Sequence, residues 1–361
     1  MKSNRIYLLW LLCFGLVLGC AFWPTGAKGQ KTLANASSAV PVAGNVDGLP
    51  YRGVAIQIQR TDWIDKYLQS IDEVAALGAD TVSLVVDTRM ENGKSNRIWL
   101  DMRMTPTPDQ LGRVIDHAKA KQLRVLLVPI VLLDNPQGTE WRGTIKPESW
   151  DEWFDSYRSV LIHFAWIAEQ HKVDVLSVGS ELVSTEEKLD QWRRTISEVR
   201  EVFSGKLTYS ANWDHYTSIP FWPYLDLIGM NSYWKLGADR KVSVQEIKEH
   251  WEDIQDELFA FRRKVGKPFF FTEVGWCSMA NAAHEPWDYT KTGEAIDLDL
   301  QKRLYQGFFE SWYGNPNLGG FVMWEWPPEQ GGPDHRGYIP KGKPAEQVLR
   351  EWFAKPRWIV K

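Results

Sequence analysis

From Tyr51 onward the chain alternates short apolar runs with amphipathic stretches, and that rhythm leaves few folds open. Strand-like runs fall near 52–58, 81–87, 124–132, 173–179, 206–210, 225–230, 268–272 and 319–324, rich in Val, Ile, Leu and Phe. Near-continuous apolar runs of this length are the pattern of strands buried on both faces. Helical spacing appears between them, near 63–77, 108–121, 150–171, 186–203, 244–265, 297–313 and 344–354. A short or irregular element near 216–223 completes the set. Eight βα units in about 300 residues predict a single-domain α/β fold, the (β/α)8 TIM barrel, over residues 50–356. A doubly wound open sheet is the other solution. It would place a glycine-rich phosphate turn after the first strand, and Gln57-Ile58-Gln59-Arg60 is not one.

In such a barrel, chemistry sits at the C-terminal ends of the strands. Glu181 ends the fourth predicted strand, Val173 to Gly179, and Glu273 ends the seventh, Pro268 to Thr272. A carboxylate at the end of a buried strand is costly to desolvate, so two of them at matched ends suggest a purpose. Glycosidic hydrolysis needs one carboxyl protonated as acid and another ionised as nucleophile or base. Mutual repulsion favours that split. The plain alternative for Glu181 is a buried acid paired with an arginine such as Arg52 or Arg60.

The neighbouring strand ends carry Asn212-Trp213, Asn231-Ser232-Tyr233, Gly275-Trp276 and Trp324-Glu325-Trp326. Indole faces stack on sugar rings and amides bind hydroxyls. Asn212, Trp213, Tyr233, Trp276, Trp324 and Trp326 are therefore the candidate substrate-binding residues, with Tyr233 expected to donate a hydrogen bond to Glu273 and hold it ionised. Alternation points Glu325 away from its flanking tryptophans, into a structural or supporting role. Asp87 and Asp134 read as solvated loop acids, and Arg60 and Arg89 read similarly.

A net charge of −4 gives no electrostatic reason to expect a nucleic acid. The seven histidines are scattered without a His-x-His pair, so no metal and no cofactor are expected. Cys277 reads as a lone buried thiol. Lys2 and Arg5 precede an apolar run from Ile6 to Leu18, the pattern of a secretion signal over residues 1–29. Val17-Leu18-Gly19-Cys20 resembles a lipobox, departing from it at Leu18, and would attach the chain to a membrane through acylated Cys20. Cleavage near Ala27-Lys28-Gly29 is the other scheme. Either sends the protein out of the cytoplasm, secreted or lipid-anchored. Residues 30–49 read as a flexible leader. A monomer is expected.

At this point the chain resembles glycoside hydrolase clan A, and within it family 113, the β-mannanase-like group. The resemblance is carried by Val178-Gly179-Ser180-Glu181-Leu182, Tyr209-Ser210-Ala211-Asn212-Trp213-Asp214 and Leu225-Asp226-Leu227-Ile228-Gly229-Met230-Asn231-Ser232-Tyr233. Thr272-Glu273-Val274-Gly275-Trp276, Pro286-Trp287, Trp324-Glu325-Trp326, Trp141-Arg142-Gly143 and Lys343-Pro344-Ala345 add to it. It implies Glu181 as acid/base, Glu273 as nucleophile and double displacement on β-1,4-linked mannan or manno-oligosaccharides, without a metal. Two departures stand out. Ser180 replaces the asparagine common before the acid/base. Val128-Pro129-Ile130-Val131 replaces a Lys-Pro-His-like stretch, which should alter a subsite and leave the pair intact. A non-catalytic glycan-binding barrel of a surface uptake system, and a retaining β-glycosidase for another sugar, are the other readings.

Overall fold

The computed structural model describes residues 48–361 apart from Thr292. The expected signal segment, Cys20 and all but the last residues of the leader lie outside them. Eight parallel strands form the frame: β1 Tyr51–Ile58, β2 Thr81–Met90, β3 Arg124–Leu133, β4 Val175–Ser180, β5 Lys206–Ala211, β6 Ile228–Asn231, β7 Phe269–Val274 and β8 Leu318–Met323. Each pairs with the next, and β1 pairs with both β2 and β8, so the sheet closes into a barrel. Among the described residues seven helices pack outside: α1 Ile64–Ala76, α2 Pro108–Ala120, α3 Trp150–Gln170, α4 Leu189–Val202, α5 Val244–Val265, α6 Leu298–Trp312 and α7 Pro344–Phe353. Between β5 and β6 two single turns, Tyr216–Ser218 and Trp222–Tyr224, take the place of a helix. This is the (β/α)8 barrel expected from the alternation. A two-residue strand, Ile98–Trp99, adds an antiparallel rung to β2.

Strand alternation divides the core in two. Val54, Ile56, Val82, Leu84, Val125 and Leu127 face the helices and join one large cluster. Ala55, Val85, Leu126, Val128, Ile130, Phe270 and Val322 point inward and fill the barrel. On β1 and β2 the inward phase turns polar toward the C-terminal end: Gln57 follows Ala55, and Asp87 follows Val85. Val128 and Ile130, the departures on the third strand, belong to the inner packing and are nearly fully buried.

The opposite end of the barrel is closed by both ends of the described chain. Leu49 and Val360 join the inner cluster, Val360 only 1% exposed. Trp358 Nε1 donates to the Leu318 carbonyl at 3.1 Å, and Arg357 Nη2 donates to the carbonyls of Gly48 and Pro50. Arg52 is paired there with Asp80 at 3.0 Å, far from any role beside Glu181.

Candidate active site

Strict alternation would not bring Glu273 to the barrel mouth. Phe269 and Phe271 face the helices, and Glu273 shares their phase. The register of β7 slips against β6 between Met230 and Asn231, and against β8 between Phe271 and Val274. Such irregularities re-aim side chains, and here the slip turns Glu273 into the cleft. On β4 the register slips against β5 between Ser177 and Ser180. Glu181 follows with φ +55°, a left-handed conformation unusual for a glutamate. Its backbone N–H donates to the Ser210 carbonyl at 2.9 Å, which fixes the turn to β5. A non-glycine residue held there is strained, and such strain gathers at functional positions.

Each carboxyl has its own partners. Glu181 accepts from Arg142 Nη2 on one oxygen and from Asn231 Nδ2 on the other. Asn231 is fixed in turn: its Nδ2 also donates to Asn212 Oδ1 at 3.0 Å, and its Oδ1 accepts from Trp213 N at 2.8 Å. Glu273 accepts from Tyr233 Oη at 2.8 Å, as the sequence led us to expect. Burial first, and then the charge of Glu181, push the Glu273 carboxyl well above the usual range, while Arg142 and the Tyr233 hydroxyl oppose them. The charge of Glu181 is thus felt at Glu273, and the two glutamates share one electrostatic environment.

Both glutamates line a cleft of about 580 Å3. Its walls include Asn212, Trp213, Tyr233 and Trp324 from the expected set, joined by Trp141, Arg142, Asp214, Trp287, Tyr289 and Tyr338. Trp213 and Trp287 stack with ring centroids 5.6 Å apart. Trp141, Trp287 and Tyr289 remain exposed at the rim. The structure does not bring Trp276 and Trp326 to this cleft. Trp276 is fully buried, edge-on to Tyr305 of α6 at 5.3 Å. Trp326 is 1% exposed and donates from Nε1 to Glu73 of α1 at 2.7 Å. Both lie beyond their strands' last residues, Val274 and Met323, where extended alternation no longer governs direction.

The rival acids also find places. Glu325 is half-buried and accepts from Gln57 Nε2 at 2.6 Å, in keeping with a supporting role, and desolvation lifts it to about 7. Asp87 is not the solvated loop acid expected. It is fully buried on the inward phase of β2, paired with Arg89 at 2.6 Å, and burial raises it to about 6. Asp134 pairs with the same Arg89 at 3.3 Å, so that arginine is a bridge between two acids. Cys277 is a free, buried thiol, as its isolation suggested, pushed up to about 12 by burial.

A sequence model of Glycoside Hydrolase Family 113 matches residues 55–343, four-fifths of the chain and every barrel strand in whole or part. The chain belongs to glycoside hydrolase family 113. Among solved structures, this family 113 chain is 28% identical to the β-mannanase AaManA of Alicyclobacillus acidocaldarius, studied in complex with ManMIm. The match has a TM-score of 0.76 and covers 85% of this chain and 98% of that one. A second family 113 β-1,4-mannanase matches at 27% identity and TM-score 0.77, over 85% of this chain and 99% of the other. A β-glucuronidase of Faecalibacterium prausnitzii, at 13% identity and TM-score 0.59, covers 86% of this chain and 50% of its own, and shares the fold alone. Among curated proteins no relative matches.

As a family 113 enzyme the chain is a glycoside hydrolase, and its cleft holds groups that residue-type reasoning passed over. Arg142 was visible only as part of Trp141-Arg142-Gly143, with no role attached. It reaches Glu181 from the single turn Arg142–Thr144 that follows β3. Arg60, the partner considered for Glu181, is instead paired with Asp62 at 2.7 Å. Asn231 supplies an amide to Glu181 in a chain whose preceding residue is Ser180. Glu186 lies behind: Tyr209 Oη donates to it at 2.8 Å and accepts from Leu182 N at 2.8 Å, and burial lifts Glu186 to about 7. Tyr289 and Tyr338 come from long connections with no period, where no sequence signal marks them.

Proposed function

We propose that this family 113 chain is a retaining β-1,4-mannanase that hydrolyses mannan or manno-oligosaccharides by double displacement. The observation that carries the reading is the meeting of Glu181 and Glu273, from the ends of β4 and β7, in one aromatic-walled cleft. Glu181 is the acid/base: it protonates the leaving oxygen and later takes a proton from water. Glu273 is the nucleophile: it attacks the anomeric carbon and forms the glycosyl-enzyme. Double displacement requires a protonated Glu181 and an ionised Glu273 at the moment of attack. The Tyr233 hydroxyl and the Arg142 charge favour the ionised Glu273 needed at that step. Asn212 offers an amide to sugar hydroxyls near the reacting carbon, and Asn231 holds Glu181 in place. Trp213 and Trp324 give the rings flat faces. The mannan preference is supported by the two solved β-mannanases, similar to this chain over 85% of its length. An envelope location, secreted or anchored through Cys20, is our reading of the first 29 residues.

The test is digestion of defined β-1,4 manno-, gluco- and xylo-oligosaccharides by the wild type and by Glu273→Ala. The expected outcome is cleavage of the manno series by the wild type alone, with a first-formed product of β configuration. An α product would reject double displacement. Cleavage confined to another series would reassign the sugar. Binding by both proteins without any hydrolysis would leave a glycan-binding barrel.

A further inference from the structure

Glu181 is held at two places, and only one of them is its carboxyl. Arg142 and Asn231 bond the carboxyl oxygens. The backbone is held by two neighbouring residues of β5. The Ser210 carbonyl accepts from Glu181 N at 2.9 Å, and the Tyr209 hydroxyl accepts from Leu182 N at 2.8 Å. The peptide links on both sides of the left-handed Glu181 are therefore tied to one strand. Tyr209 lies on the outward phase of β5 and is fully buried, its ring edge-on to Trp192 of α4 at 5.4 Å and to Phe221 at 5.2 Å. Gly179 makes room for it, since a Cβ there would stand 2.9 Å from the Tyr209 ring.

We propose that Tyr209 and Glu186 are positioning residues for the acid/base: Tyr209 pins the peptide that follows Glu181, and Glu186 turns the phenol so that it can. The inference rests on the reading of Glu181 as the acid/base of a retaining glycoside hydrolase. Neither Tyr209 nor Glu186 is among the residues that line the cleft, so both act through the backbone of Glu181.

A phenol has one proton and can accept as well as donate. To accept from Leu182 N, Tyr209 Oη must send its own proton elsewhere, and Glu186 Oε1 takes it at 2.8 Å. Glu186 reaches that place because the chain folds back after Glu181 through the single turn Val183–Thr185, where Thr185 Oγ1 donates to the Leu182 carbonyl at 2.6 Å. Burial lifts Glu186 to about 7, so near neutral pH it exists in both forms. Ionised or neutral, it keeps an oxygen for the phenol proton, and the arrangement does not depend on its charge. Its Oε2 has no hydrogen-bond partner among the described residues, with His215 Nδ1 3.8 Å away. A buried carboxyl left so is costly, and the bond to Tyr209 gives it a purpose. Without the hydroxyl, Leu182 N becomes a buried donor lacking an acceptor. The turn then relaxes to find one and carries Glu181 with it. An acid must lie within hydrogen-bond reach of the leaving oxygen, so the proton-donating step suffers first.

The experiment compares kcat/KM for phenyl and 2,4-dinitrophenyl β-mannobioside, with the two cellobiosides in parallel. Dinitrophenolate leaves without a proton and phenolate needs one, so the ratio of the two values reports the acid. Taken within one preparation, that ratio is independent of how much of a variant is folded. Tyr209→Phe and Glu186→Ala should lower the phenyl value by about tenfold or more, part of the roughly 100- to 10,000-fold that a general acid supplies, and the dinitrophenyl value by less than about twofold. Glu186→Gln, whose amide oxygen still accepts the phenol proton, should return the ratio to that of the wild type. Equal falls for both leaving groups, or an unchanged ratio in Tyr209→Phe and Glu186→Ala, would overturn the inference and leave the hydrolase reading standing. A ratio in Glu186→Gln as low as in Glu186→Ala would overturn the part given to Glu186. Cleavage of neither pair by the wild type would overturn the hydrolase reading and this one with it.

Discussion

Tyr233 shows how much of the chemistry hangs on a single hydroxyl. It is buried, and its O–H meets Glu273 at 2.8 Å. That bond favours the carboxylate over the acid, against the burial that pushes the Glu273 pKa up. Hydrogen bonds to a charged group contribute roughly 1.5–3 kcal/mol, and about 1.4 kcal/mol corresponds to one pH unit. Tyr233→Phe removes the hydrogen bond that lowers the Glu273 pKa, so that pKa rises further. If Glu273 is the nucleophile we propose, its ionised form is then lost at a higher pH as the solution is acidified. The acidic limb of the kcat/KM profile should move up by about one pH unit. An unmoved limb, with only a uniform drop in rate, would mean that the hydroxyl orients Glu273 without stabilising its charge. Tyr233, Asn212, Trp213 and Trp324 were legible because each falls at, or within three residues of, the end of an expected strand. Arg142 was not, because a salt bridge from a loop leaves no period in the sequence. Asp87 was misread although its inward phase with Val85 was already visible in the strand.

Among the elements, the strands were legible in existence and order but not in local register. Continuous apolar runs announce a buried parallel strand without saying where its ladder slips. The slips that aim Glu273 and precede Glu181 depend on neighbouring strands, β6 and β8 for one and β5 for the other. Helix ends, by contrast, are local and readable. α5 opens with a reciprocal cap between Ser243 and Glu246 and closes at Gly266, whose φ of +73° suits glycine. Ser243→Ala leaves backbone donors of the first turn without an acceptor and should reduce stability by about 1 kcal/mol. The denaturant midpoint should fall with kcat/KM unchanged, since Ser243 lies outside the cleft. A change in kcat/KM would mean that α5 communicates with the glutamates.

For the whole molecule, the closure most easily missed in the sequence is the one opposite the cleft. The last residues have no helical or strand period, yet Val360 enters the inner cluster and Trp358 and Arg357 bond to the first and last strands' surroundings. Deleting Arg357–Lys361 should expose the barrel floor and reduce stability by about 2–4 kcal/mol, from the lost burial of Val360 and the Trp358 ring. Well below the melting temperature, hydrolysis by the shortened protein should match that of the full chain. An unchanged melting temperature would show that the tail merely lies on the surface.

That floor also decides how the enzyme can be held. Gly48 and Lys361 both leave from the pole away from the cleft, tied there through Arg357 and Arg262. A tether joined at Gly48 or at Lys361, whether a surface, a bead or a neighbouring module, therefore leaves the opening pointing outward. Long polymers can be met in solution without the holder standing in their path.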